Sequence, residues 1–478
     1  MYCHCACGII EFIYSEIWGH TMFIRKDVLK LALPVIAEQA FIMVMGVINT
    51  IMAGNLGKEA VSAIGMVDSI NNIFIAFFSA LAVGGTVVVA QYYGQRNYGK
   101  ANEAARHTVF AGILFSLFIT VLLFIFRNNV VMLLFGSAER QVLENSLIYL
   151  EITLFTYPLI ALTSVACGVL RGVGDSKTPM KVMIFMNFIN IVLSYVFIYG
   201  LNIQNDHFNI SIPGNGVKGA AYGIAAARVI GALLIGFVLL NGSKIIKLKL
   251  DRHFRPEWSM LKSIFGIGLP ASIESLLFNS GKLITQIFIV GMGTASIAAS
   301  AIASSVFGLI NIPGSALSIA AITLVGQHMG KGESEEAQST ILYLTKATSL
   351  CMLVICLITF PSARLLASAF TTNADVIPIA VSLIRTSLLS VPLLWAVSFV
   401  IPAGLKGAGD AKYTLFVSIF GMWAFRVSLG YILGIPLGFG VVGVWFGMYI
   451  DWLVRGMFFY IRLKRGKWKN NIVIKEAG

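Results

Sequence analysis

Two glutamates in matching contexts are the side chains best suited to chemistry. Glu38 lies four residues after Pro34, and Glu274 lies four residues after Pro270, each inside an apolar run. A charged side chain in such a run is costly if it faces hydrocarbon, so it is expected to face a cavity or a partner. A carboxylate can also take up a proton or bind a small cation. Both residues are therefore predicted to be cation-coupling sites.

The helix faces that carry these glutamates are suited to binding organic molecules. Met45 and Asn49 lie 7 and 11 residues after Glu38 and supply a thioether and an amide. Phe278 and Thr285 lie 4 and 11 residues after Glu274 and supply an aromatic ring and a hydroxyl. Methionine adapts to varied shapes and aromatic rings attract organic cations. With two nearby cations, the predicted substrate cavity comprises Met45, Asn49, Phe278, Thr285, Lys282 and Arg385. Two alternatives remain open: each glutamate only bonds a neighbouring helix, or Lys282 neutralises Glu274.

Asp451 is the third cation-coupling candidate. Arg455 follows it by four residues, so an ion pair within one helix is the competing interpretation. Further ionisable residues interrupt the apolar runs without a clear partner. They are Asp68, Glu151, Arg228, Lys346 and Arg426.

The cysteines give no good metal site. Cys3, Cys5 and Cys7 are spaced by two, which is not the usual zinc pattern. Residues 1–21 differ from the rest of the chain, and we expect them to be an extension that is not native, with Met22 as the natural start. Cys167, Cys351 and Cys356 lie in apolar runs and are predicted to pack in the core. No metal or organic cofactor is predicted.

Composition indicates an integral membrane protein. Hydrophobic residues make up 57% and charged residues 12% of the 478-residue chain, against roughly 25% charged in soluble domains. Runs of about 20 apolar residues recur, as bilayer-spanning helices require. We predict twelve spans. They are 29–53, 62–92, 107–127, 145–169, 179–201, 219–241, 264–290, 298–328, 340–361, 378–404, 413–435 and 441–463.

The chain contains an internal repeat. The stretch 33–101 matches 269–337 without a gap, at the shift of 236 residues that also separates Glu38 from Glu274. Such a duplication in a membrane protein is typical of two-lobed transporters. The fold class is therefore predicted as all-α, with twelve transmembrane helices in two pseudo-symmetric six-helix bundles. The second and eighth spans are long, so we expect them to tilt or bend.

Charge placement predicts the orientation. The net charge of +13 is concentrated in segments that would all be cytoplasmic with an internal N-terminus. The opposite segments hold few cations, as the positive-inside rule requires. Those cations are Lys58, Arg127, Arg140, Lys218 and Arg364. Both termini are predicted to be cytoplasmic, and the polar stretch 201–218 is predicted to be an external loop.

Two further patterns are predicted to be structural. A cation-glycine-x-glycine-aspartate motif begins at Arg171 and again at Lys406, where its glycines would form a sharp turn after a helix. Glycines also recur at close spacing where the sixth and twelfth spans begin. Small residues at such spacing let helices approach closely.

The motifs together resemble the multidrug and toxic compound extrusion (MATE) family. They are Leu-Pro-x-x-x-Glu, Gln-x-x-Gly and the cation-glycine motif, each present twice in the same order between about 22 and 467. The resemblance implies twelve helices in two lobes, and export of organic cations and other amphiphiles in exchange for H⁺ or Na⁺. Asn49 stands where family members often have an aspartate, and the tenth span carries Arg385 where some have an acid.

We therefore expect a secondary active multidrug efflux transporter that uses H⁺ or Na⁺ as its coupling ion. The alternative is a flippase or an exporter of a lipid-linked or polar metabolite from the same superfamily, which the buried cations favour. An enzyme is not expected, because no catalytic constellation or phosphate-binding Walker loop is present.

The domain prediction divides the chain at a basic segment. It consists of an extension 1–21, an N-terminal lobe 22–241, a cytoplasmic linker 242–262, a C-terminal lobe 263–467 and a cytoplasmic tail 468–478. The expected partners are a small-molecule substrate and the lipid bilayer, without nucleic acid. A monomer in the plasma membrane is expected.

Overall fold

The computed structural model describes residues 26–136, 138–205, 208–243, 245–248 and 254–474. The predicted extension with Cys3, Cys5 and Cys7, and part of the predicted linker, lie outside these residues. The first half contains α1 Lys26–Gly54, α2 Lys58–Gly94, α3 Tyr98–Phe135, α4 Arg140–Leu154, α5 Tyr157–Gly172, α6 Lys177–Tyr199, β1 Gly200–Asn205, β2 Phe208–Pro213 and α7 Gly216–Asn241.

The second half repeats this order without the strands. It contains α8 Trp258–Val290, α9 Thr294–Ile310, α10 Ile312–Gly330, α11 Ser334–Thr359, α12 Ala363–Phe370, α13 Val376–Ser390, α14 Ala396–Gly407, α15 Ala411–Phe420, α16 Ser428–Gly434 and α17 Gly440–Arg465. π-Helical segments Val391–Trp395 and Gly421–Val427 join α13 to α14 and α15 to α16, and the short 3₁₀ helix Lys467–Asn470 follows α17.

The predicted helical membrane fold is confirmed. In the described residues, ten helical segments are long and apolar enough to cross a bilayer, and the number rises to twelve if two bent pairs each form one span. α4 with α5, and α9 with α10, are each bent by 49°. Pro158 and Pro313 stand in the first turn after each bend, where a proline cannot donate to the preceding turn.

Of the two long spans, one is bent and the other is a continuous helix. The predicted bend of the eighth span is present at Asn311, between α9 and α10. The second span is one unbroken helix of 37 residues, α2. The bend in the fourth span, between α4 and α5, was not predicted.

The predicted loop 201–218 is a β-hairpin rather than an irregular loop. β1 and β2 pair antiparallel from Gly200 opposite Pro213 to Asn205 opposite Phe208. The segment is too short and too polar for a strand pattern to stand out from a loop in the sequence.

The chain forms two compact units. The first unit comprises Pro34–Asn279 with the described residues from Val473, and the second comprises the described residues up to Leu33 with Ser280–Ile472. Both boundaries fall inside helices, α1 and α8. Trp258–Asn279 thus belongs to the first unit, whereas the predicted C-terminal lobe begins at residue 263. The lobe boundaries stay a prediction.

Each unit has an apolar interior built by its helices. In the first unit, Val88, Val165 and Ile264 join α2, α5 and α8 in one cluster. In the second unit, a cluster that includes Met352 and Trp452 joins α9, α10, α11, α13, α14 and α17. Large apolar side chains also cover the outside, such as Leu133 at 86% exposure. A continuous apolar exterior is expected of a protein surrounded by lipid.

The repeated glycines permit close helix contacts within each unit, as predicted. A Cβ at Gly219 would lie 2.0 Å from the Phe197 carbonyl oxygen, so only glycine lets α7 approach α6 this closely. A Cβ at Gly443 would lie 2.6 Å from the Leu433 carbonyl oxygen, so α17 also approaches α16 closely. The two units therefore use the same small-residue packing.

Candidate functional site

Glu38 on α1 forms an ion pair with Arg171 at the end of α5. Nη2 of Arg171 donates to Oε1 at 2.7 Å and to Oε2 at 2.8 Å. The exposed fractions of the two side chains are 3% for Glu38 and 16% for Arg171. Such a pair satisfies both charges away from water. For Glu38, the structure supports the alternative in which the glutamate bonds a neighbouring helix.

The turn that holds Arg171 is built by its glycine-aspartate motif. Gly174 has a φ of +80°, the left-handed conformation that glycine adopts readily. Asp175 then accepts from the Thr178 backbone N–H at 3.1 Å and from Ser243 Oγ at 2.5 Å. The predicted sharp turn is confirmed, and its cation also binds Glu38, a role that spacing did not indicate.

The second copy of the motif uses its aspartate differently. Gly409 has a φ of +99° and forms the equivalent turn. Asp410 accepts from Nε of Arg462 at 2.7 Å, which ties the start of α15 to the end of α17. The backbone turn is repeated, while the side-chain partners are not.

Asp451 and Arg455 on α17 form the predicted pair within one helix. Nε of Arg455 lies 2.9 Å from Oδ1 of Asp451, and the side chains are 3% and 0% exposed. The carboxylate oxygens nevertheless have no directed hydrogen bond. We therefore interpret this contact as ionic, because the short distance is present without the N–H alignment. Arg455 also stacks over Phe399, with Cζ 4.9 Å from the ring centroid.

Glu274 lies on the part of α8 that belongs to the first unit, and its side chain is half-buried. Phe278, one turn later, is also half-buried. Nearby on the same helix, Ser272 Oγ donates to the Phe77 carbonyl oxygen at 3.1 Å, which fixes this stretch of α8 against α2. Glu274 is thus held on a firmly packed helix.

The predicted cavity residues are divided between the units. Met45, Asn49 and Phe278 lie in the first unit, and Lys282, Thr285 and Arg385 lie in the second. Met45 is buried, and Oδ1 of Asn49 is buried without a donor among the described residues.

In the second unit, Thr285 Oγ1 donates to the Lys282 carbonyl oxygen at 2.8 Å, so this hydroxyl is used within the helix. Arg385 is exposed on α13, with Cζ 5.6 Å from the Phe360 ring centroid. Each unit therefore holds part of the predicted set.

The structure reveals a buried polar network around Asp68 in the first unit. Oδ1 of Asp68 accepts from Tyr149 Oη at 3.3 Å and from Asn71 Nδ2 at 3.4 Å. Tyr157 Oη donates to Asn71 Oδ1 at 2.9 Å. Arg228 lies within electrostatic range of Asp68.

This network joins α2, α4, α5 and α7, and Arg228 is anchored by donating from Nη1 to Thr156 Oγ1 at 2.7 Å. The sequence identified Asp68 and Arg228 as charges inside spans. It gave no indication that they share one network, because their positions depend on how four helices pack.

The second unit contains a basic cluster formed by Lys282, Arg426 and Arg455 around Asp451. Lys282 lies within electrostatic range of Arg426 and Arg455, and Arg426 is near Asp451 and Tyr449. Arg426 belongs to the π-helical segment Gly421–Val427, a helix form that often occurs at functional sites. The cluster draws on α8, this segment and α17.

Close packing at Gly421 brings the π-helical segment onto the ion pair. A Cβ at this position would lie 2.4 Å from Asp451 Oδ1 and 2.4 Å from Arg455 Cγ. Glycine is thus required for this approach.

Within the described ranges, no group of three His, Cys, Asp or Glu side chains is placed to hold a metal ion. Cys167 and Cys356 are buried free thiols, and Cys351 is a half-buried one. Their predicted packing role is consistent with these positions.

Comparisons with known proteins agree with the fold. The family model MatE matches twice, over residues 34–196 and 270–432, and the two matches are separated by the shift of the internal repeat. The chain is 28% identical to the transporter YisQ of Bacillus subtilis over 94% of this chain and 95% of that protein. It is 26% identical to the probable multidrug resistance protein NorM of Thermotoga maritima, covering 95% and 96% of the two chains.

Solved structures match over nearly the whole chain. An outward-facing multidrug resistance MATE family transporter of the MOP superfamily superposes with a TM-score of 0.83 at 23% identity, covering 92% of this chain and 96% of that one. Because the family model covers both halves in order, the chain belongs to the MATE (MatE) family of membrane transporters.

Proposed function

We propose that this protein is a secondary active multidrug exporter that exchanges organic cations or other amphiphiles for H⁺ or Na⁺. Curated relatives named as multidrug resistance proteins, such as NorM and MdtK, support multidrug transport. The observation that carries the exchange mechanism is the presence of carboxylates inside the membrane-spanning helices of a transporter fold. An ion that binds such a carboxylate in competition with the substrate couples the two fluxes.

The proposed coupling residue is Glu274. A half-buried carboxylate on a packed helix can exchange a proton or Na⁺ while its surroundings keep their arrangement. Glu38 and Asp451 are weaker candidates, because an entering ion would compete with Arg171 or Arg455 for the carboxylate oxygens.

Asp68 is a second coupling candidate, which the structure adds. Its oxygen accepts from an amide and a phenol, both neutral donors. A neutral donor can rotate or shift when the carboxylate gains a proton, so protonation at Asp68 would be relayed to Tyr149 and Asn71. Asp68 therefore enters the same experiment as Glu274.

The same proposal includes the oligomeric state, the location and the partners of the protein. The protein acts as a monomer in the plasma membrane with both termini in the cytoplasm. It is not an enzyme, and it needs no cofactor or metal other than the coupling ion. Nucleic acid is not a partner.

The test is transport by purified protein in liposomes. Ethidium flux is measured under an imposed pH gradient and, separately, under a sodium gradient. Glu274→Gln keeps the shape of the side chain but removes its charge, and it is expected to reduce gradient-driven flux at least tenfold. Asp68→Asn is measured in parallel to show whether the first-unit network shares this role.

The matched control is Glu144→Gln, which removes an exposed carboxylate paired with Arg140. It is expected to transport as the unmodified protein does. Flux by Glu274→Gln that still follows the imposed gradient would transfer the coupling role to another carboxylate. Wild-type flux independent of both gradients would refute antiport itself.

A second candidate function is export or flipping of a polar or lipid-linked metabolite. The basic cluster of the second unit favours it, because organic cations would be repelled there. The same liposomes distinguish the two functions if the flux of a cationic dye is compared with that of an anionic one.

A further inference from the structure

His107 connects α3 to the start of α8. Its side chain is almost completely buried. Nε2 accepts a hydrogen bond from the backbone N–H of Glu257 at 2.9 Å, and Nδ1 lies 2.9 Å from the Glu103 carbonyl oxygen. All three residues belong to the first unit. The imidazole therefore bridges its own helix and the residue that immediately precedes α8.

These two contacts determine which nitrogen of the imidazole carries a proton. The Glu257 N–H can only donate, so Nε2 must be without a proton to accept from it. The Glu103 carbonyl oxygen can only accept, so Nδ1 must hold the single proton of a neutral ring. A doubly protonated ring would point a second N–H at the Glu257 N–H and lose this bond. The contact with Glu257 thus requires a neutral His107.

The Glu257 N–H is one of the backbone groups that a helix leaves without a partner at its start. The Glu257 carbonyl oxygen accepts the first bond of α8, from the Leu261 N–H at 3.1 Å, which makes Glu257 the capping residue. The N–H groups at this end have no acceptor within the helix. His107 supplies an acceptor from another helix, a role that a side chain of the same helix has in a capping box. Loss of this acceptor therefore loosens the start of α8.

Phe254 holds the same segment against α3. Its ring centroid lies 4.9 Å from that of His107 and 5.5 Å from that of Phe110. The guanidinium carbon of Arg106 lies 4.5 Å from the Phe254 centroid, so a cation already faces this ring. A second positive charge at His107 would be repelled by Arg106. Protonation of His107 therefore adds repulsion to the loss of the hydrogen bond.

Charged and titratable groups on the neighbouring elements also act on His107. They are Glu103 and Arg106 on α3, Tyr92 on α2, Arg171 on α5, and Arg255 and Glu257 before α8. Carboxylates favour a protonated imidazole, whereas arginines oppose it. Arg171 is already paired with Glu38. These charges influence the pH at which the ring is protonated, but the loss of the Glu257 bond follows from the ring chemistry alone.

The first part of α8 connects this contact to the proposed coupling residue. It packs closely on α2, where a Cβ at Gly84 would lie 2.3 Å from the Ile264 carbonyl oxygen. Pro270 stands inside the helix and has no N–H to donate to the preceding turn, so the helix bends readily there. Glu274 follows four residues later. Release of the start of α8 from α3 therefore allows the helix to change its angle next to Glu274.

We infer that His107 is a pH-sensitive switch that regulates export. Histidine is the side chain whose charge ordinarily changes between pH 5 and 8. A neutral His107 fixes the start of α8 to α3, and a protonated His107 releases it and slows export. The predicted orientation places this end of the helices in the cytoplasm, so cytoplasmic acidification is the signal. This inference rests on the proposed export function and adds its regulation.

The structural test is hydrogen exchange of the full-length protein in phosphatidylcholine nanodiscs. Exchange is measured by mass spectrometry at pH 8 and pH 6 and corrected for the intrinsic effect of pH. Protection of residues 254–261 is expected to fall about tenfold at pH 6, the scale for loss of one hydrogen bond. His107→Gln keeps an acceptor that does not titrate, so its protection should be the same at both values. His107→Ala lacks the acceptor and should have low protection at both.

His328→Gln is the matched control. It replaces a histidine near the end of α10 in the second unit, where Nδ1 lies 2.9 Å from Glu333 Oε2. The exchange of residues 254–261 in this variant is expected to depend on pH as in the wild type. Equal wild-type protection at the two pH values would overturn the inference, as would a loss at pH 6 that persists in His107→Gln.

The functional test is ethidium exchange across liposomes that have the same pH on both sides. The ratio of the rate at pH 8 to the rate at pH 6 is expected to be about tenfold larger in the wild type than in His107→Gln, on the same scale of one hydrogen bond. Both proteins contain Glu274, so competition between protons and ethidium at that carboxylate affects them alike. Equal ratios would overturn the regulatory role. The antiport proposal fails separately, because it is judged by flux under an imposed gradient.

Discussion

At the scale of single residues, buried charges are stabilised by pairing, and the Glu38–Arg171 pair makes this measurable. Removing one partner leaves an uncompensated buried charge, which typically costs about 3–5 kcal/mol. We expect Arg171→Gln to lower the apparent melting temperature of the detergent-purified protein substantially. Glu38→Gln combined with Arg171→Gln should recover most of this loss, because no unpaired charge remains.

The control is an exposed pair in the same unit. Arg140 and Glu144 are 92% and 60% exposed, and surface pairs contribute about 0–1 kcal/mol. Arg140→Gln should therefore change the melting temperature little. If the Glu38→Gln, Arg171→Gln double variant melts as early as Arg171→Gln alone, the ion pair does not provide the stabilisation.

Asn49 gives a second prediction at this scale. Its side-chain amide takes up no proton near neutral pH, so it cannot serve as a site of proton coupling. Asn49→Ala is expected to change substrate affinity, because Oδ1 is a buried acceptor without a donor among the described residues. Ion coupling should persist. Loss of the dependence of ethidium flux on the gradient, at normal protein levels, would contradict this.

At the scale of elements, the approach of the Gly421–Val427 segment to α17 depends on one glycine. A methyl group at Gly421 would overlap the buried Asp451–Arg455 pair, and overpacking typically costs about 1–3 kcal/mol. We expect Gly421→Ala to lower the melting temperature despite the better helix propensity of alanine.

Gly236→Ala is the matched control in α7, where a Cβ would meet nothing within 4 Å. It should be neutral or slightly stabilising, since alanine favours a helix over glycine by about 1 kcal/mol. Equal melting temperatures for the two alanine variants would show that the segment adjusts without cost.

The sequence predicted elements better than their partners. Apolar runs, the shifted repeat and glycine spacing are local properties, and they indicated the spans and the glycines at which helices pack closely. The bend near Thr156, the π-helical segments and the β-hairpin depend on a few hydrogen bonds that hydropathy does not record.

Partners across helices were not predictable in the same way. Arg171 reaches Glu38 from 133 residues away, and Tyr149 reaches Asp68 from 81 residues away. Their distances follow from how whole helices pack. The Asp451–Arg455 pair was predictable, because four residues on one helix fix its geometry.

At the scale of the whole molecule, the two units share a backbone pattern and differ in charge. The first unit holds the intramembrane carboxylates Glu38, Asp68, Glu151 and Glu274, and its cations within or at the ends of the helices include Arg106, Arg127, Arg171 and Arg228. The second holds Asp451 and, away from the helix ends, the cations Lys282, Lys346, Arg385, Arg426 and Arg455. Four intramembrane carboxylates in the first unit, against Asp451 in the second, are the reason why the coupling ion is proposed to bind in the first unit.

The orientation of the protein in the membrane is predicted from the distribution of basic residues over the whole chain. Basic residues concentrate on one side of the predicted topology, and the positive-inside rule places that side in the cytoplasm. Asn215, after the β-hairpin, is then external, and Asn470, after α17, is internal. Both side chains are exposed. In a variant in which all six cysteines of the sequence are replaced, Asn215→Cys should react with a membrane-impermeant maleimide on intact cells. Asn470→Cys should react only after permeabilisation, because an intact membrane separates it from the reagent; the reverse pattern would invert the topology and place both termini outside.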